Sequence, residues 1–171
     1  MERDEHARAL AGLIYRQEIE QVILGLARAT DRRDVEAIRS SYHADAADDH
    51  GAFQGSGAQF AEWVPKALAP FAATQHLLSP PRIELDGDVA HAETYCTAHH
   101  VYAPDDPGGE RDSIIGLRYV DRFERRGGQW RIARRRCVFD YSYIVAVVER
   151  WPFGPGFRLG SPSREDPSYA R

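Results

Sequence analysis

The sequence predicts an α+β protein, with about three N-terminal helices packed on a curved antiparallel sheet. Three observations carry this. Apolar residues in the first third recur at helical spacing, residues 74–141 break into four β-like segments, and two hairpin signals fall among them. Helices first and strands afterwards segregate into layers rather than alternating βαβ units.

A short helix is expected over Glu2–Leu13. A longer one follows, with Ile19, Val22, Ile23 and Leu26 at i, i+3, i+4 and i+7 on one buried face. The next helix spans Val35–Tyr42, with Asp34 placed as its N-cap. Asp31 is less easily explained. It falls in the last turn of the preceding helix, where the helix dipole disfavours a carboxylate by ~0.3–1 kcal/mol. "ADAADDHGAF" reads as a short extended piece ending at Gly51. A third helix runs from about Ala58 to Phe71, carrying Phe60, Trp63, Val64, Ala67 and Leu68, with Pro65 inside it as a potential kink.

"TQHLLSPPRIEL", "DVAHAETYCTAHHVY", "SIIGLRYVDRFERR" and "QWRIARRRCVFDY" supply the sheet. "LDGDV" and "RRGGQW" are its tight-turn signals, and "APDDPGGERD" is a longer polar loop. Residues 1–150 form one domain on this reading. Residues 151–171, rich in Pro, Gly and Ser, form an irregular tail expected to lie over a neighbouring subunit.

The chain has 171 residues, a net charge of −4 and 18 aromatic residues (Phe 7, Tyr 8, Trp 3). It is long enough to bury a core. Its mild acidity gives no electrostatic ground for a nucleic-acid partner. No apolar run approaches the ~20 residues a membrane span requires. The charged start "MERDEHARAL" lacks the apolar region of a signal peptide, so a cytoplasmic location is expected. Cys96 and Cys137 lack CxxC spacing and read as reduced core thiols. The sequence contains no G-x-S-x-G, P-loop or G-x-G-x-x-G motif. Seven histidines include no H-x-x-x-H pair, and the adjacent His99 and His100 point to opposite faces of a strand, so neither a metal nor another cofactor is expected.

The order of elements, with "ATDRRDVEAIRSSYHADA", "LDGDVAHAETY" and "RYVDRFERRGGQWRIARRRCVFDY", resembles the SnoaL-like branch of the nuclear-transport-factor-2-like superfamily over about residues 10–145. The resemblance implies a cone-shaped, cystatin-like barrel enclosing one deep pocket. It is narrower with cofactor-free lyases: lindane dehydrochlorinase, scytalone dehydratase and sphingomonad lyases that deformylate diarylpropanes. In the first two a helix-end Asp pairs with a strand His, and that pattern falls on Asp31 and His76. The dehydrochlorinase arginine, counted from Trp130, falls on Arg135. Its lysine has no match, since that place is held by about Leu26, which speaks against dehydrohalogenation itself.

Asp31 lies about 100° from the centre of the Ile19–Leu26 face, so it can line a cavity edge or pair on the surface with Arg28, Arg32 or Arg33. A carboxylate on one imidazole nitrogen fixes the tautomer and leaves the other nitrogen as a base. Arg135 opposes Arg134 and Arg136 across the strand. Either it faces the pocket and stabilises an anion, or all three arginines cover the outer sheet.

Tyr95 and His99 share a strand face with Thr97 and are candidate hydrogen-bonding partners of a substrate. Either Asp49 or His50 faces the pocket mouth. Tyr42 is placed near the site, and Phe139 and Tyr141 close the last strand as aromatic lining. These residues predict a cofactor-independent lyase for a small hydrophobic, aromatic compound, with His76 as general base, in a homodimer or homotrimer. Two alternatives remain: a non-catalytic ligand-binding or accessory domain, and a cyclase or steroid-isomerase-like enzyme with a lone carboxylate, Asp49 or Asp31, as base.

Overall fold

The computed structural model describes residues 2–170. Helix α1 spans Glu2–Asp31 without interruption, so the two expected N-terminal helices are one. Glu2, Asp4 and Glu5 in its first turn complement the dipole. It is clamped from Tyr15 onward, by the Tyr15 ring on Trp130 and by the buried Ile19, Ile23, Leu26 and Ala29. Arg33, at φ 51°, turns the chain into α2 (Val35–Ser40). Asp34 caps α2 as expected by accepting from the Ala37 amide at 3.3 Å.

Strand β1 (Tyr42–Asp49) replaces the end of the predicted second helix, and β2 (Gln54–Ser56) pairs back on it. Helix α3 (Gly57–Ala67) begins with a capping box between Ser56 and Gln59 and stops before Phe71. Pro65 is accommodated in its last turn.

The sheet continues with β3 (Phe71–Leu78), β4 (Arg82–Asp86), β5 (Val89–Tyr102), β6 (Arg111–Arg126) and β7 (Gln129–Ala146). Pro80 and Pro81, which cannot donate to a ladder, divide the first predicted strand segment into β3 and β4. The hairpin turns are those expected. Gly87 (φ 59°) turns β4 into β5, and Gly127 (φ 59°) with Gly128 (φ 82°) turns β6 into β7.

The seven strands form one sheet ordered β2-β1-β7-β6-β5-β3, with β4 also on β5. Its pairings are antiparallel except β1 against β7, which is parallel. Two irregularities in the β6–β7 register bend the long strands. Ala133 is skipped between the pairs Phe123–Ile132 and Arg122–Arg134, and Asp140 between Leu117–Phe139 and Gly116–Tyr141.

The concave face packs on the helices through Ile19, Ile23, Leu26, Phe60, Val64, Phe123 and Ile132. Residues 147–166 carry neither helix nor strand. The end of the tail docks on its own chain. Tyr169 donates to Asp34 at 2.9 Å, Arg28 to Ser168 at 2.9 Å, and Arg32 pairs with the buried Asp166 at 3.2 Å. Asp166 is held well below the usual carboxylate range, first by the Ser168 hydroxyl and then by the Ser161 and Ser168 amides.

Candidate active site

Between α1, α3 and the concave sheet lies a cavity of about 280 Å³. Its helical side is apolar: Leu26 and Ala27 from α1, and Phe60, Trp63 and Val64 from α3. Ala98, Ile115 and Leu117 continue that character across the sheet. The polar groups in the lining are Thr30, His50, His76, His100, Tyr119 and Arg135.

Asp31 and His76 are in contact. The imidazole Nδ1 stands 2.7 Å from Asp31 Oδ1, the Thr74 hydroxyl donates to that oxygen at 3.0 Å, and the His76 amide donates to Oδ2 at 3.1 Å. This accounts for an acid at a helix C-terminus. Hydrogen bonds to a charged acceptor contribute ~1.5–3 kcal/mol each, which outweighs the ~0.3–1 kcal/mol dipole penalty. With Nδ1 on the carboxylate, Nε2 is the nitrogen left for a guest in the cavity. The dyad also borders a wider groove of about 570 Å³ between α1, β3 and residues 160–162, so it forms part of the wall between the two spaces.

Arg135 faces inward. Counting by twos from the buried Trp130 and Ile132 would have put Arg134 inside, and the bulge at Ala133 reverses this. Its Nε and Nη2 donate to Asp121 at 2.8 and 2.7 Å, and the guanidinium stacks on Tyr119 at 4.0 Å. Burial opposes the charge, yet Asp121 holds the arginine's pKa well above its ordinary value. Burial likewise pushes the Tyr119 and Tyr42 hydroxyls well above theirs.

The structure decides between Asp49 and His50. His50 lines the cavity, stacked on Phe60 with ring centroids 4.2 Å apart. Asp49 turns away and accepts from the Gly51 amide (3.1 Å) and Gln54 (3.3 Å), holding the turn that presents His50. His50 Nδ1 is bonded to Asp48. Tyr42 does not line the cavity; its buried hydroxyl donates to the same Asp48 at 2.6 Å. Phe139 lines the cavity while half exposed.

Three expected lining residues stand elsewhere. On β5 the inward face is the even-numbered one, with Ala90, Ala92, Cys96 and Ala98 buried, so Tyr95 is exposed on the outer face. His99 is bound to Asp112 at 2.6 Å, outside the cavity, and His100 lines it instead. Tyr141 is carried outward by the bulge at Asp140 and stacks on Tyr143.

The strand reading missed His100, Asp48, Thr74, Tyr119 and Asp121. The small residues Ala90, Ala92 and Ala98 were the available sign that even positions of β5 face in. His100 packs edge-on to His76 at 5.7 Å, and its pKa is lowered by burial and then by His76. Both cysteines are free and buried, and burial raises the Cys96 thiol to about 11. Among the described residues no group of three His, Cys, Asp or Glu side chains is arranged to hold a metal ion. No described helix is long and apolar enough to cross a membrane.

Comparison with known proteins agrees with this architecture. An uncharacterized protein of Mycobacterium tuberculosis, Rv2910c, is 28% identical over 137 residues, covering 77% of this chain and 90% of its own. Among solved structures, a type 2 hexachlorocyclohexane dehydrochlorinase superposes with a TM-score of 0.75 at 21% identity, over 87% of this chain and 99% of that one. A candidate scytalone dehydratase from Novosphingobium aromaticivorans gives 0.67 at 19% identity, over 85% and 96%. Identities this low establish the shared fold. The family model described as the SnoaL-like domain matches residues 12–136, and the chain belongs to that family.

Proposed function

We propose that the protein is a cofactor-independent lyase for a small hydrophobic, aromatic compound, with His76 as general base and Asp31 as its orienting partner. The observation that carries this is the 2.7 Å contact between the two side chains at the wall of an apolar cavity. A general base must reach the substrate's proton in the right tautomer, and this arrangement supplies both conditions. The dehydrochlorinase and the candidate scytalone dehydratase, whose fold this chain shares, are named for elimination reactions. The cavity volume suits a compound of one or two rings, and its lining favours apolar ones.

A purely ligand-binding pocket predicts Asp31 paired with an arginine, whereas its hydrogen-bond partners are Thr74 and His76. A lone-carboxylate isomerase needs an unpartnered acid in the cavity, and neither Asp31 nor Asp49 is one. The test is incubation with a methyl ketone bearing phenyl and hydroxyl on its β carbon, an activated model substrate. The wild type should form the conjugated enone and His76→Ala should not. Equal rates in both, or none in the wild type, would reject the lyase assignment.

Self-association as a dimer or trimer belongs to the same reading. Tyr95, Val120, Tyr141, Tyr143 and Ile144 are exposed on or beyond the outer sheet face, an apolar area that a second copy would cover. Sedimentation velocity reads the subunit number, and a monomer at micromolar concentration removes this part.

A further inference from the structure

We propose that His50 is a second proton-transfer residue of this cavity, and that the leaving group is an oxygen that must be protonated as it departs, not a halide. The inference rests on the assignment of His76 as base.

Asp48 on β1, Arg135 on β7 and Asp121 on β6 are direct cross-strand neighbours. All three are buried. The row therefore holds two carboxylates against one guanidinium, and an imidazolium at His50, bonded to Asp48, completes the balance. Tyr42 donates to the other Asp48 oxygen at 2.6 Å, so the carboxylate is fixed while it holds His50 Nδ1. Nε2 remains for the guest. The ring is held by its stack on Phe60 and by the turn in which the His50 amide donates to Phe53 at 2.8 Å. His50 thus repeats the construction of His76, with a separate carboxylate, in the lining of the same cavity.

Arg135 points to the same conclusion. Two of its nitrogens are committed to Asp121, which neutralises its charge. A halide leaves as a weakly basic anion that takes no proton, so a proton donor adds less to its departure. A hydroxyl or ether oxygen leaves readily only with a proton. In the proposed step His76 Nε2 removes a proton from carbon, and the C–H electron pair becomes the new π bond. The C–O bond breaks with its pair on oxygen, and His50 Nε2–H gives that oxygen its proton, releasing water or an alcohol. His76 ends protonated and His50 neutral, and transfer of one proton between them through solvent restores the start.

The test compares two methyl ketones with phenyl on the β carbon, one bearing hydroxyl and the other chloride there. Both give the same enone and both need the same carbon proton removed. His50→Gln should lower the hydroxyl rate at least ~100-fold more than the chloride rate. Tyr42→Phe, which deletes only the hydroxyl that steadies Asp48, should move the ratio the same way by a smaller factor. Should His50→Gln fail to fold, the Tyr42→Phe ratio decides alone, and an unchanged ratio overturns the proposal. A His50→Gln variant that slows both compounds alike, or neither, also overturns it. Failure of the base assignment looks different: His76→Ala would then match the wild type on both compounds, or the wild type would turn over neither.

Discussion

Replacing His76 by alanine is expected to lower kcat for the β-hydroxy ketone by about 10²–10⁴-fold, the usual contribution of a positioned general base. The melting temperature should fall by several degrees, since one hydrogen bond to Asp31 is lost while the Thr74 hydroxyl and the His76 amide still hold that carboxylate. Asp31→Asn should cost a comparable factor for a different reason. The amide is nearly isosteric, but its nitrogen cannot accept hydrogen bonds. Whichever way it is turned, it faces either the His76 amide or the Thr74 hydroxyl and His76 Nδ1. The imidazole loses the partner that sets its tautomer. This variant should also lose ~1–3 kcal/mol of stability, since a buried donor is left unmet. Steady-state assays well below the melting point separate the two effects. Full activity in Asp31→Asn would show that the carboxylate serves only to join α1 to β3.

The second large effect is on stability. Arg135→Ala should destabilise the fold by about 3–5 kcal/mol, because it leaves Asp121 buried without its cation. For a chain of this length that is a fall in melting temperature of roughly 6–20 °C. Arg135→Lys should recover only part of it, since an ammonium cannot reproduce the two-pronged contact with Asp121. The double change Arg135→Met with Asp121→Leu should be close to wild type in urea unfolding, because it removes both members of the pair. If Arg135→Ala alone melts with the wild type, the buried row is not the electrostatic unit described above.

Much of the architecture was legible in short-range chemistry. The Ile19–Leu26 stripe, the Asp34 cap and the two glycine turns each follow from local preference, and all four are where the sequence puts them. The single helix at the N-terminus was also available, since no proline or paired glycine separates Leu13 from Ile19. The parallel pairing of β1 on β7 was not, because pairing partners distant in sequence leave no local mark.

The site divides in the same way. Asp31 and His76 are distant in sequence, and only the family resemblance joined them. The facing of β5 needed a reference point. Tyr95, Thr97 and His99 are polar or half-polar and suggest an inward face, whereas the buried alanines at even positions mark the opposite one, so His100 and not His99 lines the cavity. On β7, period-two counting fails twice because bulges add residues that the alternation cannot reveal. Asp48 looked like one acid among several in "ADAADD", and only its cross-strand neighbour Arg135 distinguishes it.

The extra residue at Ala133 gives the last strand an unusual kind of leverage. Three consecutive arginines differ in fate only through the phase of one kinked step: Arg135 goes in, while Arg134 and Arg136 go out. Straightening that step with its residue retained would turn the following stretch inside out. It would expel the Arg135 guanidinium and Cys137 and put Arg134, Arg136 and Val138 on the cavity side. Within such a barrel, the loss of a kink can remodel the chamber more thoroughly than any single side-chain replacement.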